Sequence, residues 1–526
     1  MTAVAGPWHV PAGLVAGVAL ASLPRGAGPA ALTVGGLAGV LLAAWAGCVA
    51  PTGDDPRAAV GERTLAERVE RIAPWLTLTF LVPLVTLPVP PGADMAMHVA
   101  LARSLATGAA EVSPAWPGVA LPVYPRGFSG LVALAAPLGF ARAGLLVSGL
   151  TYVLYTAGVA ALLGATGVTR PWTLAMLTVL LTKVPQEMFA WGGTPTVLAL
   201  ALGVHAAAAL RPPGAPVRRP ALVAALLLAG AAAVHPMGAL AGALVTVVHA
   251  CRHALVAVSI GLLGIGLVLA LLATSGPELS PAEIAWAVHW GQTRETLLRG
   301  APWQFAWRIW PDLWRALGPA WMLTVGGAAL VLLGRGSGRA VGRALALVLA
   351  LGGLLAVLRM LPSAAGVVYP ARVAPVFALA MAPVLGAALA GLPGRVGGAI
   401  ALVLLAAALP LHLRWYQGAG SMATWADVRL LDCVARRTAG DAVIAGAYGD
   451  ATQWVPAITG RRVTLPHRHV SVLDETAPGL AALRPTHRLR GERTRYAPAF
   501  PGPQPPPEPA GAPLCQEGTA RLWTLP

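Results

Sequence analysis

Long apolar runs, separated by short polar segments, recur along most of this chain. An α-helix needs roughly 20 residues to cross a bilayer, and most of these runs approach that length. The pattern predicts about thirteen membrane spans, which we place at residues 9–23, 30–50, 73–90, 143–165, 171–187, 194–210, 220–234, 236–250, 254–273, 318–334, 343–361, 373–391 and 396–411. The fold class predicted from this pattern is an all-α polytopic membrane protein.

Two segments depart from the regular alternation. The end of segment 51–71, GERTLAERVERI, places Leu65, Val69 and Ile72 on one face of a helix with charges opposite. This amphipathic pattern predicts an interfacial helix on the membrane surface. The apolar run 127–140 is short for a span, so we expect it to lie flat or to dip into the membrane.

After residue 411 the long apolar runs give way to short helix and strand patterns, as in a soluble domain. Residues 425–437 (WADVRLLDCVARR) have helical periodicity, residues 441–445 (DAVIA) predict a buried strand, and residues 521–525 predict a last strand. A small α/β domain is therefore expected at 412–526. Two regions precede this domain. Residues 1–72 contain two spans and the interfacial helix, and residues 73–411 form a transmembrane core with external loops 91–142 and 274–317.

Composition supports the membrane prediction and narrows the function. The chain is 56% hydrophobic and 11% charged, whereas soluble proteins average about 25% charged. Its formal net charge of +16 comes almost wholly from Arg. These Arg residues lie mostly in short loops and form no basic patch with interleaved aromatic residues, so we expect no binding to nucleic acid.

The Arg distribution also predicts an orientation in the plasma membrane. If 127–140 crossed the membrane, the Arg clusters within 211–219 and 335–343 would face outside. If it does not cross, they face the cytoplasm, as the positive-inside rule favours. The N-terminus is then cytoplasmic and the C-terminal domain extracytoplasmic. Cys433 and Cys515 both fall in this external domain, where a disulfide can persist; two free thiols are the alternative.

Asp94 is the first candidate for chemistry. It follows PPGA at the membrane edge and precedes a segment that reads as an amphipathic helix, with His98 one turn further on. Asp94 is either the N-cap of that helix or a carboxylate that deprotonates a hydroxyl or binds a metal ion.

Glu187 and His235 lie at other breaks in the apolar pattern. Glu187 follows Pro185 at the outer end of a span, where a carboxylate indicates either function or an ion pair with Lys183. His235 precedes a Pro within an apolar stretch. His98, His235 and His289 share the predicted outer side, but their spacing matches no zinc motif, so we expect hydrogen bonds to substrate or helix caps.

Two Arg residues near the outer surface are candidates for anion binding. Arg372 follows VYPA at the start of a span, and Arg359 lies deeper in LLAVLRMLP. Either residue can extend to lipid headgroups, or it can bind a lipid phosphate through two parallel hydrogen bonds. The Trp residues of loop 274–317 are interface anchors or surfaces on which sugar rings pack.

Together these features resemble a known family. An acid in the first long external loop, followed by HVALARSLATG and a YPRGF element, is similar to the GT-C class of membrane glycosyltransferases. The class includes actinobacterial arabinosyl- and mannosyltransferases. The resemblance implies a GT-C-like core that transfers a sugar, with inversion, from a polyprenyl-phosphate carrier to a cell-envelope glycan or lipid.

The resemblance also implies roles for individual residues. Asp94 matches the loop acid that acts as base or metal ligand, Glu187 stands where many members have a second acid, and Arg372 matches the Arg that meets the carrier phosphate. The remaining residues assigned to substrate binding are His98, Tyr124, Arg126, His235, His289 and Arg359. No cofactor is certain, and a divalent cation at Asp94 is left open. Expected partners are the donor, the acceptor and membrane lipids.

Two other classes of protein stay open at this point. The helix breaks near Pro185 and His235 also fit a polytopic transporter. A non-catalytic envelope-assembly protein with the same fold is the third hypothesis.

Overall fold

The computed structural model describes residues 9–23, 28–47, 64–108, 126–210, 218–249, 309–360, 370–418, 422–447, 449–464, 483–492 and 507–526. Within these ranges the protein is mostly helical, with a small sheet near its C-terminal end. The predicted span at 254–273, most of loop 274–317, Tyr124 and His289 lie outside the described residues.

The helices before residue 250 are α1 (His9–Ala21), α2 (Pro29–Gly47), α3 (Leu65–Leu76), α4 (Pro83–Thr86), α5 (Ala93–Thr107), α6 (Gly127–Leu134), α7 (Phe140–Ala165), α8 (Pro171–Leu181), α9 (Lys183–Trp191), α10 (Thr194–Ala209), α11 (Arg218–Val234) and α12 (Pro236–His249). Those after it are α13 (Ile309–Leu317), α14 (Pro319–Gly334), α15 (Arg339–Met360), α16 (Pro370–Ala390), α17 (Gly394–Gly418), α18 (Trp425–Arg437) and α19 (Val455–Thr459).

Among the described residues, four helical stretches are long and apolar enough to cross a membrane: Leu65–Thr86, Phe140–Ala165, Arg372–Ala390 and Gly394–Leu413. A bent pair, Trp310–Leu317 and Pro319–Gly334, meets at 94° and counts as a fifth if it is one broken span. These helices identify a membrane protein. The count of about thirteen spans is not confirmed in the described part of the chain.

The segment around residue 73 differs from its prediction. Residues 65–86 form one helical stretch that tightens to 3₁₀ geometry at Thr77–Leu81, instead of an interfacial helix followed by a separate span. A capping box at Thr64 starts it: the Thr64 hydroxyl accepts from the Glu67 N–H, and the Glu67 carboxylate accepts from the Thr64 N–H. Its Val69 face packs on α8 and α17.

Glu70 is bonded within the protein, on the face predicted to carry exposed charges. Its two carboxylate oxygens accept the backbone N–H groups of Trp172 and Thr173 at 2.9 and 2.8 Å. Those groups are at the start of α8, where a helix has N–H donors without partners of its own. Glu70 therefore caps α8 from a neighbouring helix.

The core is built around α7 and α10. Every residue of α10 is buried, and the middle and C-terminal parts of α7 are almost wholly buried. Helix α12 crosses α10 at Gly203 and Gly242, where a Cβ on Gly203 would lie 2.2 Å from the Gly242 Cα. Short helix α6, roughly 12 Å long at 1.5 Å per residue, packs beside this core on α1 and α5.

The C-terminal domain has a five-stranded sheet in the order β2-β1-β3-β5-β4, with strands at Val443–Ala445 (β1), Arg462–Val463 (β2), His487–Arg490 (β3), Cys515–Glu517 (β4) and Ala520–Thr524 (β5). β1 is parallel to β2 and β3, whereas β5 is antiparallel to β3 and β4. The predicted helix, buried strand and last strand all form. A disulfide joins Cys433 of α18 to Cys515 of β4, with Cα atoms 6.4 Å apart.

The cap of α8 gives a first test. Glu70→Ala removes a charged acceptor from two backbone N–H groups and is expected to lower the free energy of unfolding by about 1.5–3 kcal/mol. Arg71→Ala, on the exposed side of the same helix, is the control and should change it by less than about 0.5 kcal/mol. Thermal unfolding in detergent measures both. Equal stability of the two variants would show that the cap contributes nothing.

Candidate functional site

The predicted site residues lie where several helix ends meet. The N-terminal ends of α5 and α16 reach the C-terminal end of α9, and the N-terminal end of α6 reaches the break between α11 and α12. A Cβ on Gly127, the first residue of α6, would lie 2.8 Å from Val234, the last residue of α11. Five separate stretches of the chain therefore converge here.

Two glycines allow α5 and α9 to touch through their backbones. Gly92 is the N-cap of α5, and a Cβ there would lie 2.2 Å from the Trp191 carbonyl carbon. Gly192 is the C-cap of α9, and a Cβ there would lie 3.1 Å from the Asp94 Cβ. Both have positive φ, a conformation that favours glycine. This contact, which we call the Gly92–Gly192 junction, places Asp94 against the end of α9.

The N-cap prediction for Asp94 is wrong. Gly92 occupies that position, and Asp94 lies within the first turn of α5, partly exposed. There its carboxylate is stabilised by the positive end of the helix dipole.

The prediction that α5 is amphipathic is also wrong. Residues 95–102 are all buried, because α6 and α7 pack on α5 together with α19 of the C-terminal domain.

His98 and Arg126 are both deeply buried beside this end of α5. His98 is one turn after Asp94, and its ring meets Phe128 of α6 edge-on at 5.5 Å between centroids. Arg126 is the N-cap residue of α6 and is only 2% exposed. A buried guanidinium is unfavourable unless it is bonded, so such a residue is a functional candidate.

His235 joins the cluster from the break between α11 and α12. Its Nδ1 is buried and has no hydrogen-bond partner among the residues that the structure describes. The charges of Arg372, His98 and Asp94 all act on its imidazole. The other three side chains therefore all lie near the His235 imidazole, and we call these four residues the Asp94 cluster.

Arg372 contacts the end of α9. It lies in the first turn of α16, half-buried, with its guanidinium carbon 5.7 Å from the centre of the Trp191 ring. A guanidinium at this distance from an indole makes a cation–π contact. Arg372 and Asp94 thus lie at the same short segment, Trp191–Gly192.

Glu187 has a different environment. It forms an ion pair with Lys183, with Nζ and Oε1 2.5 Å apart, and its side chain is 28% exposed. This pair is the structural alternative that the sequence left open. A catalytic role for Glu187 stays a prediction, as do the roles of Tyr124 and His289, which lie outside the described residues. The same holds for Arg359, near the end of α15.

The donor set at the cluster does not fit a hard divalent cation. Mg²⁺ and Ca²⁺ take several oxygen ligands, whereas the Asp94 cluster offers one carboxylate beside two imidazoles and a guanidinium. Among the described residues there is no group of three or more His, Cys, Asp or Glu that could hold a metal.

Trp191 is a site residue that sequence reasoning missed. The motif WGG reads as a helix end, but the stacking of Arg372 on the indole depends on α16, which begins far along the chain. One local feature could have pointed to Trp191: a glycine-containing helix break lies near each candidate acid, PPG before Asp94 and WGG after Glu187.

No family model matches the chain, and no curated protein matches it. The resemblance to the GT-C class stays a prediction.

The Gly92–Gly192 junction gives a second test. Gly92→Ala puts a methyl group against the Trp191 backbone and forces Ala into φ +86, ψ 148, which is essentially a glycine conformation. We expect a loss of about 2–5 kcal/mol in the free energy of unfolding from overpacking and strain together.

Gly108→Ala is the matched control for Gly92→Ala. Gly108 also has positive φ, at +71, but has open space around its Cβ position. The control should cost only the strain, about 1–2 kcal/mol. Thermal unfolding of both variants measures the difference, and equal losses would contradict the close contact.

Proposed function

We propose that this protein is a membrane glycosyltransferase that moves a sugar from a polyprenyl-phosphate carrier to an extracytoplasmic cell-envelope glycan or lipid. One observation carries the proposal: a carboxylate, Asp94, and a guanidinium, Arg372, both lie against Trp191–Gly192 at one helix junction. Inverting sugar transfer needs these two groups, a base for the acceptor and a cation for the leaving phosphate.

In the proposed reaction Asp94 accepts the proton of an acceptor hydroxyl while the hydroxyl oxygen attacks the anomeric carbon of the sugar. The new carbon–oxygen bond forms on the face opposite the bond to the carrier, which breaks at the same time. The electron pair of that bond passes to the phosphate oxygen. Arg372 binds the departing polyprenyl phosphate through its planar guanidinium and stabilises the charge that develops there.

His98, His235 and Arg126 are assigned to orienting the sugar. His98 and Arg126 are deeply buried, and His235 lies near Asp94. Imidazole and guanidinium N–H groups are suitable donors to sugar hydroxyls. Holding the reactants in the correct orientation provides much of the rate enhancement in such reactions.

The proposed orientation places the N-terminus in the cytoplasm and the C-terminal domain outside the plasma membrane. The Arg-rich loops support it. The Cys433–Cys515 disulfide supports it independently, because disulfides persist in oxidising compartments.

A transporter is the second candidate function. The 94° bend between Trp310–Leu317 and Pro319–Gly334, together with the helix break at His235, is the kind of broken helix that transporters use at their substrate sites. A transporter would form no new glycosidic bond, so the assays below separate the two functions.

Asp94→Asn tests the base. Gly92 caps α5, so the substitution leaves the cap in place while it removes the charged proton acceptor. Transfer should fall by roughly 10²- to 10⁴-fold, the usual contribution of general base catalysis. The measurement is sugar transfer from a polyprenyl-phosphate donor in nanodiscs, with thermal unfolding to confirm an intact fold.

Asp432→Asn, at an exposed position of α18, is the matched control and should retain wild-type transfer. A stable Asp94→Asn protein with near-normal turnover would contradict the catalytic assignment. It would also leave Glu187 as the next acid to test, and full biological function without transfer would favour an envelope-assembly protein.

Arg372→Ala tests phosphate binding. Loss of charge-assisted hydrogen bonds should weaken the affinity for polyprenyl phosphate by about 10- to 100-fold. Arg372→Lys should recover only part, because Lys lacks the planar fork. Titration with labelled polyprenyl phosphate measures both. Arg335→Ala, which removes a contact to the Gly391 carbonyl, is the control, and unchanged affinity in both Arg372 variants refutes the role.

A further inference from the structure

The C-terminal domain contacts the helix that carries Asp94. Arg103, in the second half of α5, donates a hydrogen bond from Nη1 to the Ile458 carbonyl of α19 at 2.8 Å. Its guanidinium carbon also lies 5.3 Å from the centre of the Phe140 ring, at the start of α7. One side chain therefore joins α5, α7 and the C-terminal domain.

Gly460 keeps this contact close. It follows α19 directly, has φ +74, and a Cβ there would lie 2.9 Å from the Arg103 Nε. A larger residue would therefore displace the guanidinium from its place beside the Ile458 carbonyl.

The acceptor of this hydrogen bond belongs to a well-fixed part of the domain. Arg461, the next residue after Gly460, donates through Nη2 to the carbonyls of Ala435 and Thr438, both at 3.0 Å. These carbonyls are at the C-terminal end of α18, which the disulfide at Cys433 also joins to the sheet. The Ile458 carbonyl is consequently held in place before Arg103 binds it.

Residues 95–102, which are apolar except for His98, form the buried part of α5 before Arg103. Van der Waals contacts restrain sliding and rotation of a helix less sharply than a directional hydrogen bond does. Arg103 is nine residues after Asp94, roughly 14 Å along the helix. The hydrogen bond at Arg103, together with the Gly92–Gly192 junction, fixes both the position of α5 along its axis and its rotation about that axis.

We propose that Arg103 is a positioning residue for the transfer reaction: by binding the C-terminal domain it holds α5, and with it Asp94, at the Trp191–Gly192 end of α9. This inference rests on the proposed function. It makes the C-terminal domain part of the catalytic apparatus, although the domain supplies no member of the Asp94 cluster.

The test uses the full-length protein in nanodiscs and three variants of the contact. Arg103→Ala removes the guanidinium, Gly460→Ala displaces it without changing its charge, and Arg103→Lys keeps a cationic donor but loses the planar group beside Phe140. Arg429→Ala is the matched control, because Arg429 pairs with Glu517 on the exposed surface of the same domain.

Two readouts are combined for each variant. The first is hydrogen exchange of the α5 backbone amides, which reports on the helix without any reference to sugar transfer. The second is steady-state transfer. A misplaced base should lower kcat by roughly 10- to 100-fold, with the KM for the donor changed less than about twofold, because Arg372 still binds the carrier.

We expect Arg103→Ala and Gly460→Ala to speed α5 exchange and lower kcat, Arg103→Lys to restore part of both, and Arg429→Ala to change neither. Unchanged α5 exchange in the first two variants would overturn the inference, as would unchanged kcat despite faster exchange. A wild-type protein without transfer activity would instead contradict the proposed function, so the two failures are distinguishable.

Discussion

The structure of the site depends on one backbone contact, the approach of Gly92 to Trp191 and Gly192. A side chain at either glycine would separate α5 from α9. With both helix ends in contact, the first turn of α5 presents Asp94 at the segment on which Arg372 of α16 stacks. Opposite charges are thereby brought near each other by helix packing, in partly buried surroundings where electrostatic interactions are stronger than in bulk water.

Much of the architecture was predictable because its signals are local. Apolar runs identified membrane helices, and short periodic segments identified α18, β1 and β5 in the tail. Candidate residues were found for the same reason: a charged or ring-nitrogen side chain in an apolar chain is conspicuous. Asp94, His98, His235 and Arg372 were each chosen from local sequence, and the structure places them in one cluster.

The failures concern contacts between distant parts of the chain. Helix α5 was predicted to have a solvated face, but α19 covers it from more than 300 residues away. Glu70 was predicted to lie on the charged face of an interfacial helix, but it caps α8 a hundred residues later. Neither partner has a signature near the residue it contacts. The stacking of Arg372 on Trp191 escaped prediction for the same reason, since periodicity carries no information about which helices are neighbours.

The hydrogen bond from Arg103 to Ile458 spans 355 residues of sequence, and this has a consequence for biosynthesis. Helix α5 is synthesised early, whereas its partner emerges only after α17, the last long helix before the C-terminal domain, has been made. A nascent or truncated chain would carry Asp94 and every other member of its cluster, yet lack the support that fixes the helix. If Asp94 acts as proposed, the protein would become active only once the C-terminal domain has folded against α5, and an incompletely assembled chain would leave the proposed donor unused.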